Sequence, residues 1–133
     1  MSEESVSSGD DRTGTVTTTA SRDPEQTTQL TSVFDVLRDP RRRYVMYVLE
    51  EADEPVVPFE VIVEGVQKYE ASDAVDAESP PREIVRTNLV HVHLPKLESV
   101  GALERDPRTG HVRFHGHPVL EEWAERTRRF ELV

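Results

Sequence analysis

Residues 88–114 read NLVHVHLPKLESVGALERDPRTGHVRF. Apolar residues recur at helical spacing up to Gly101, which suits a left-handed helix cap. Two short runs of alternating apolar and polar residues follow, Ala102-Leu103-Glu104-Arg105 and Val112-Arg113-Phe114. Between them lies Asp106-Pro107-Arg108-Thr109-Gly110, a turn by residue type, so the spacing predicts a hairpin. Pro95 lacks the N–H that would bond back to His91, so a kink or early fraying is expected there. All five histidines (His91, His93, His111, His115 and His117) fall in this segment or just after it. Residues 82–116 hold six bases against four acids, although the whole chain carries a net charge of −10.

Upstream, Leu30, Val33, Phe34 and Leu37 mark a first helix, with Thr28 or Thr31 as its cap. Asp39-Pro40 then ends one helix and starts the next, an acceptor at the cap and proline in the first turn. Tyr44, Val45, Val48, Leu49 and Ala52 form the apolar face of this second helix, about 40–52. Val56-Val57 is a short extended piece. Phe59, Ile62, Val63, Val66 and Tyr69 give a third helix, about 58–70. Residues 71–81 (ASDAVDAESPP) read as an acidic loop, and a fourth helix covers about 81–100. Leu120, Trp123, Ala124, Thr127 and Phe130 mark an amphipathic C-terminal helix. The expected fold is mainly α with a small β-hairpin: a winged helix-turn-helix with an extra N-terminal helix and a C-terminal helix. Three segments are expected: a disordered acidic Ser/Thr-rich tail (1–28) too poor in apolar groups to order itself, the winged domain (29–116), and the C-terminal helix (117–133), packing on its own domain or dimerising.

VFDVLRDPRRRYVMYVLEEADEPV (33–56) resembles the opening of ArsR-like winged-helix regulators, where a leucine, an Asp-Pro or Asn-Pro break and an arginine cluster precede an apolar helix. HLPKLESVGALERD (93–106) resembles the end of their recognition helix and their first wing strand. The chain is similar, more closely, to a haloarchaeal group of small winged-helix domains of uncharacterised function. That group shares the Arg-Arg-Arg-Tyr-Val run, a Tyr/Trp-Glu pair ending the next helix (here Tyr69-Glu70), and the His-Leu-Pro-Lys-Leu run. The resemblance covers about 30–115. It departs from the pattern in the length and acidity of 71–81 and in Pro58, which stands where a capping Ser or Thr is usual.

The composition agrees with such a source. Acid is high, cysteine is absent, and lysine occurs only at Lys68 and Lys96, arginine supplying the other 14 cations. The acidic balance argues against a general nucleic-acid binder. In molar salt, however, the Debye length is only ~3 Å, so net charge steers little and short-range contacts decide binding. Without cysteine, an apolar run of membrane length or a secretory leader, the chain reads as cytoplasmic, with no membrane partner. It carries no glycine-rich phosphate loop, nucleophile motif or paired carboxylates, so no enzyme, cofactor or small-molecule substrate is expected.

A recognition helix turns one face to base edges while the other packs inward. At 100° per residue, Val85, Leu89, Val90, Val92, Leu94, Leu97 and Val100 share one wide side. Ile84, Thr87, Asn88, His91, Pro95 and Glu98 lie opposite. Thr87, Asn88 and His91 are candidates for groove contact, Arg82, Arg86 and Lys96 for bases or phosphates, and Arg105, Arg108 and Arg113 for contacts from the wing (102–115). The bland reading pairs these arginines with Glu83, Glu104 and Asp106. His93 is expected to pack inside. Arg41, Arg42 and Arg43 stand in a first helical turn, where the macrodipole disfavours cations by ~0.3–1 kcal/mol. They call for acids such as Asp35 and Asp39, or for a phosphate. The partner expected is double-stranded DNA, bound by a homodimer joined through Leu120, Trp123 and Phe130, as the resemblance implies. Two alternatives stand beside this: a protein-docking module of the same fold, and a metal-responsive regulator using the histidines. The second is disfavoured because His91 and His93 project ~200° apart on a helix, and no metal site is expected.

Overall fold

A computed structural model describes residues 23–73 and 80–132 of the chain. Most of the expected tail and part of the 71–81 loop lie outside the described residues. The described residues fall into two units, divided between Thr31 and Ser32. The boundary falls within α1 (Pro24–Leu37), whose buried residues belong to the second unit; at its start Asp23 caps the helix, accepting the N–H of Glu25 at 2.9 Å. Asp23-Pro24 is thus the same start signal as Asp39-Pro40, and the helix begins earlier than the expected threonine caps. Residues 24–28, counted with the tail from their polar composition, are helical.

The second unit is helix-rich, with a small three-stranded antiparallel sheet. Its centre is α2 (Pro40–Glu51), whose start is as expected: Asp39 accepts the N–H of Arg41 at 2.9 Å and Pro40 occupies the first turn. Every residue from Tyr44 to Leu49 is buried. The expected single apolar face is therefore too narrow, and Met46 and Tyr47 are enclosed as well. A helix buried all round needs neighbours on every side. Here α1, α3 (Phe59–Asp73) and α6 (Pro118–Glu131) supply them, with Val33, Val36 and Leu37, Ile62, Val63 and Val66, and Leu120 and Ala124 respectively. Each of the valine, leucine and isoleucine side chains contributes ~1.5–3 kcal/mol on burial. Leu30 and Phe34, grouped with the α1 core by spacing, are instead exposed.

The fourth helix is continuous but not uniform. An α segment, α4 (Arg82–Asn88), passes through one π turn (Leu89–His93) into α5 (Leu94–Ser99). The kink or fraying expected at Pro95 is replaced by this wider turn. Leu94 donates to Leu89 five residues back, and a π bond of that span absorbs the donor that proline lacks. The carbonyl of Val90 is left over: its α partner Leu94 is engaged elsewhere and its π partner is Pro95. Arg105 donates to it at 3.3 Å instead. The inserted residue also rotates the downstream register. His93 and Leu94 turn inward, whereas Val92, expected inside, is exposed. Gly101 closes the helix at φ +81°, its N–H bonding Glu98 and that of Ala102 bonding Leu97.

Strands β2 (Leu103–Arg105) and β3 (Val112–Phe114) form the expected hairpin, in the register Glu104↔Arg113. Strand β1 (Val56–Val57) adds to β3 antiparallel, giving the order β1-β3-β2. Asp106 holds the turn, accepting the N–H of Arg108 at 2.8 Å. This bond keeps its carboxyl below the usual range. α6 opens with a reciprocal cap: His117 Nδ1 accepts the N–H of Leu120 at 3.2 Å, and Glu121 accepts that of His117 at 2.6 Å. None of the helices is long and apolar enough to cross a membrane among the described residues.

Two stability predictions follow from the packing around α2. A Cβ on Gly65 of α3 would lie 2.5 Å from Val48 Cγ2. Gly65→Ala should therefore lower stability by ~1–3 kcal/mol in chemical denaturation, against the ~1 kcal/mol that helix propensity alone would add. A more stable variant contradicts the close approach. Glu50, on the same helix, is pushed up to about 7 by burial and then by Glu121 and Glu125. The folded state thus favours its neutral form. Stability should fall as pH rises from about 4.5 to about 7, with the full penalty above that. Glu50→Gln should be more stable than wild type by on the order of 2 kcal/mol above neutrality and equal to it in acid. A difference independent of pH would refute this.

Candidate nucleic-acid interface

The 82–99 helix and the hairpin border one groove of about 560 Å³. Arg86, Val90, Leu94 and Glu98 line it from the helix, and Arg105, Asp106, Pro107 and Gly110 from the hairpin. The helix residues are spaced by four, so a single helical ridge faces the hairpin. Phe59, the first residue of α3, closes the groove beside Arg86.

The cations around this groove differ in how far they are already engaged. Arg82 and Arg86, four residues apart in α4, both bind Glu60 of α3. Arg82 Nη2 lies 2.8 Å from one carboxylate oxygen and Arg86 Nε 2.9 Å from the other. These two bonds, Arg82's first, hold the Glu60 carboxyl below the usual range. The Arg86 guanidinium also lies 5.3 Å from the centre of the Phe59 ring. Arg105 is bound to Glu98 at 3.2 Å and to the Val90 carbonyl, and Lys96 forms an ion pair with Asp35 at the end of α1. By contrast, the guanidiniums of Arg108, at the hairpin tip, and Arg113 have no partner among the described residues.

The expected acid partners Glu83, Glu104 and Asp106 hold none of these guanidiniums, Asp106 bonding Arg108 only through its backbone N–H. The carboxylates that do are Glu60 and Glu98, and Glu60 was not singled out from the sequence. Its only signal was its place in the first turn of the helix preceding the candidate recognition helix. Among the groove-contact candidates, Thr87 and His91 are exposed. Asn88 is half-buried, its Oδ1 accepting from Arg41 Nη1 at 2.8 Å.

Arg41, Arg42 and Arg43 are held within the fold. Arg41 pairs with Glu70 as well as with Asn88. Arg42 is buried and donates to the carbonyls of Val36 at 2.8 Å and Asp35 at 2.9 Å. Arg43 donates to the Leu37 carbonyl at 2.6 Å and to Glu131 at 2.9 Å. These carbonyls are the unsatisfied acceptors at the C-terminus of α1, where the macrodipole favours a cation. The N-terminal penalty on α2 is thus set against a C-terminal gain on α1. No phosphate is needed to account for these residues.

The histidines do not form one group. His93 is buried as expected, with Arg42 Nη1 3.5 Å from its Nδ1, and burial holds its pKa below the usual value. His115 meets Glu104 at 3.2 Å, His117 caps α6, and His91 and His111 are exposed. No three His, Asp or Glu side chains converge in a way that could hold a metal ion among the described residues.

On α6, Leu120 is fully buried in its own core, so its apolar surface is spent within the chain. Trp123 is half-buried, edge-on to Phe34 at 5.1 Å, and Arg126 covers its ring at 5.1 Å. Of the three residues expected at a dimer contact, Phe130 is the one left open, at 85% exposure.

No curated protein and no solved structure matches the chain significantly. A family match covers residues 34–113, more than half of the sequence, and includes α2, α3, the 82–99 helix and the hairpin through Arg113. The chain belongs to the family described as Domain of unknown function (DUF7344).

Proposed function

We propose that the chain is a winged helix-turn-helix DNA-binding regulator of the ArsR-like kind, adapted to a salt-rich cytoplasm. The observation that carries this reading is the groove between the 82–99 helix and the hairpin. Beside its lining, exposed Thr87 and His91 lie on that helix, and Arg108 and Arg113, whose guanidiniums have no partner among the described residues, lie on that hairpin. In this reading the helix enters a major groove and its polar side chains meet base edges. Arg108 at the hairpin tip meets a phosphate or the adjacent minor groove, which fixes register without reading sequence. Arg105, Lys96 and Asn88 act indirectly, holding the hairpin, the α1 end and Arg41 in place around the reading helix. A homodimer would present two such helices to a two-fold site, with Phe130 at the contact.

A second reading has an observation of its own. Four of the six cations between Arg82 and Arg113 are neutralised by carboxylates, and such a surface also suits docking to a protein. Duplex binding separates the two.

Binding of the full chain to genomic duplexes in molar KCl should be sequence-selective. The double variant Arg86→Ala/His91→Ala should lose ~1–3 kcal/mol per base contact. Arg108→Ala should weaken all duplexes alike and lower the salt slope by ~1. Absence of duplex binding by wild type across the salt range would favour the docking reading.

A further inference from the structure

Glu60 is an acid placed where the proposed reading needs cations, and it pairs with both arginines at the start of the candidate recognition helix. Each of its oxygens is taken by a different arginine. An acidic group on a DNA-facing surface repels phosphate, so its presence calls for a reason beyond charge balance. A surface ion pair of this exposure contributes little to folding.

The reason lies in which nitrogen Glu60 holds. On Arg86 the carboxylate accepts from Nε, the inner edge of the guanidinium. The same guanidinium lies over the Phe59 ring, 5.3 Å from its centre. The carboxylate on the inner edge and the ring beneath hold the guanidinium from two sides. The outer edge, carrying Nη1 and Nη2, has no partner among the described residues. Two parallel donors on one plane are what guanine O6 and N7 accept in the major groove. Arg82 is held differently: its Nη2 is bound to Glu60 and its Nη1 lies 3.4 Å from Gln67. Its outer edge is thus occupied, and the two arginines are not equivalent.

We infer that Glu60 is a positioning residue for sequence readout, aiming Arg86 at a guanine and discouraging both arginines from settling on phosphates. This rests on the DNA-binding reading above and adds what that reading does not contain. Arg86 reads a G·C pair, Arg82 does not, and the selectivity of Arg86 depends on an acid that touches no base. Removing the carboxylate charge leaves Arg86 mobile and takes one repulsion away from the backbone. Affinity for unrelated sequences should then rise while discrimination falls, the usual mark of a repulsive element that enforces specificity.

The test is selection from a randomised duplex library in molar KCl, using the full chain as wild type, Arg86→Ala and Glu60→Gln. Thermal unfolding of each establishes that it is folded. Wild type should enrich a motif containing a G·C pair whose preference disappears in Arg86→Ala. Glu60→Gln should relax the preference at that same pair about tenfold, the scale of one bidentate contact. It should leave the other positions unchanged and bind unrelated duplexes more tightly than wild type. A purely structural role for Glu60 would lower binding to all sequences alike, and that result overturns the inference. So does a Glu60→Gln motif identical to that of wild type. If wild type enriches nothing, the DNA-binding reading falls first and the inference falls with it.

Discussion

The Arg42 guanidinium is the joint on which the second unit depends. A buried cation costs several kcal/mol unless every donor is matched. Here the matches are the carbonyls of Asp35 and Val36, with the His93 ring beside them. One side chain therefore ties three things together: the C-terminus of α1, the first turn of α2 and the π turn of the 82–99 helix. His93 suits the place because burial favours its neutral form. Burial lowers its pKa, and a charged ring next to Arg42 would set two cations together in a buried site. Asp39 adds a second tie, capping α2 through Arg41's N–H while its carboxylate lies 3.8 Å from His93.

From that joint the exposed surface follows. The π turn inserts one residue into the helix, so the face presented after His91 is not the one a uniform 100° step would present. Val92 swings out and His93 swings in. The turn also frees the Val90 carbonyl, and Arg105 of the hairpin occupies it. The hairpin is thus fastened to the helix at the point where the helix is irregular. Proline at 95, a wide turn, a buried histidine and a strand arginine form one arrangement rather than four separate features.

Much of this was legible in the residues. Asp39-Pro40, Gly101 and the Asp106–Gly110 turn each carry local chemistry that determines backbone geometry, and each is found where it was expected. The apolar spacing of α3 and α6 was equally plain, as was the inward placing of His93. What could not be read depends on partners distant in sequence. Arg43 finds Glu131 at 88 residues' separation and Arg41 finds Glu70 at 29, so no window of sequence shows these pairs. The full enclosure of α2 was hidden because helical spacing picks out one apolar face and passes over Met46 and Tyr47, which neighbours distant in sequence cover. The start of α1 was missed because its first two turns bury nothing, so periodicity had nothing to register. In the candidate interface the exposed Thr87, His91 and Arg108 were legible from helix and turn positions. The carboxylates that neutralise Arg82, Arg86 and Lys96 were not.

We propose that the 82–99 helix and the hairpin together form the surface that meets duplex DNA. Amide chemical-shift mapping of the isotope-labelled chain, titrated with a selected duplex in molar KCl, tests it most directly. The account predicts shifts concentrated in residues 82–91 and 105–113, with α6 changing little. Shifts centred on α6 and the exposed end of α1, or a spectrum unmoved by any duplex, would contradict it.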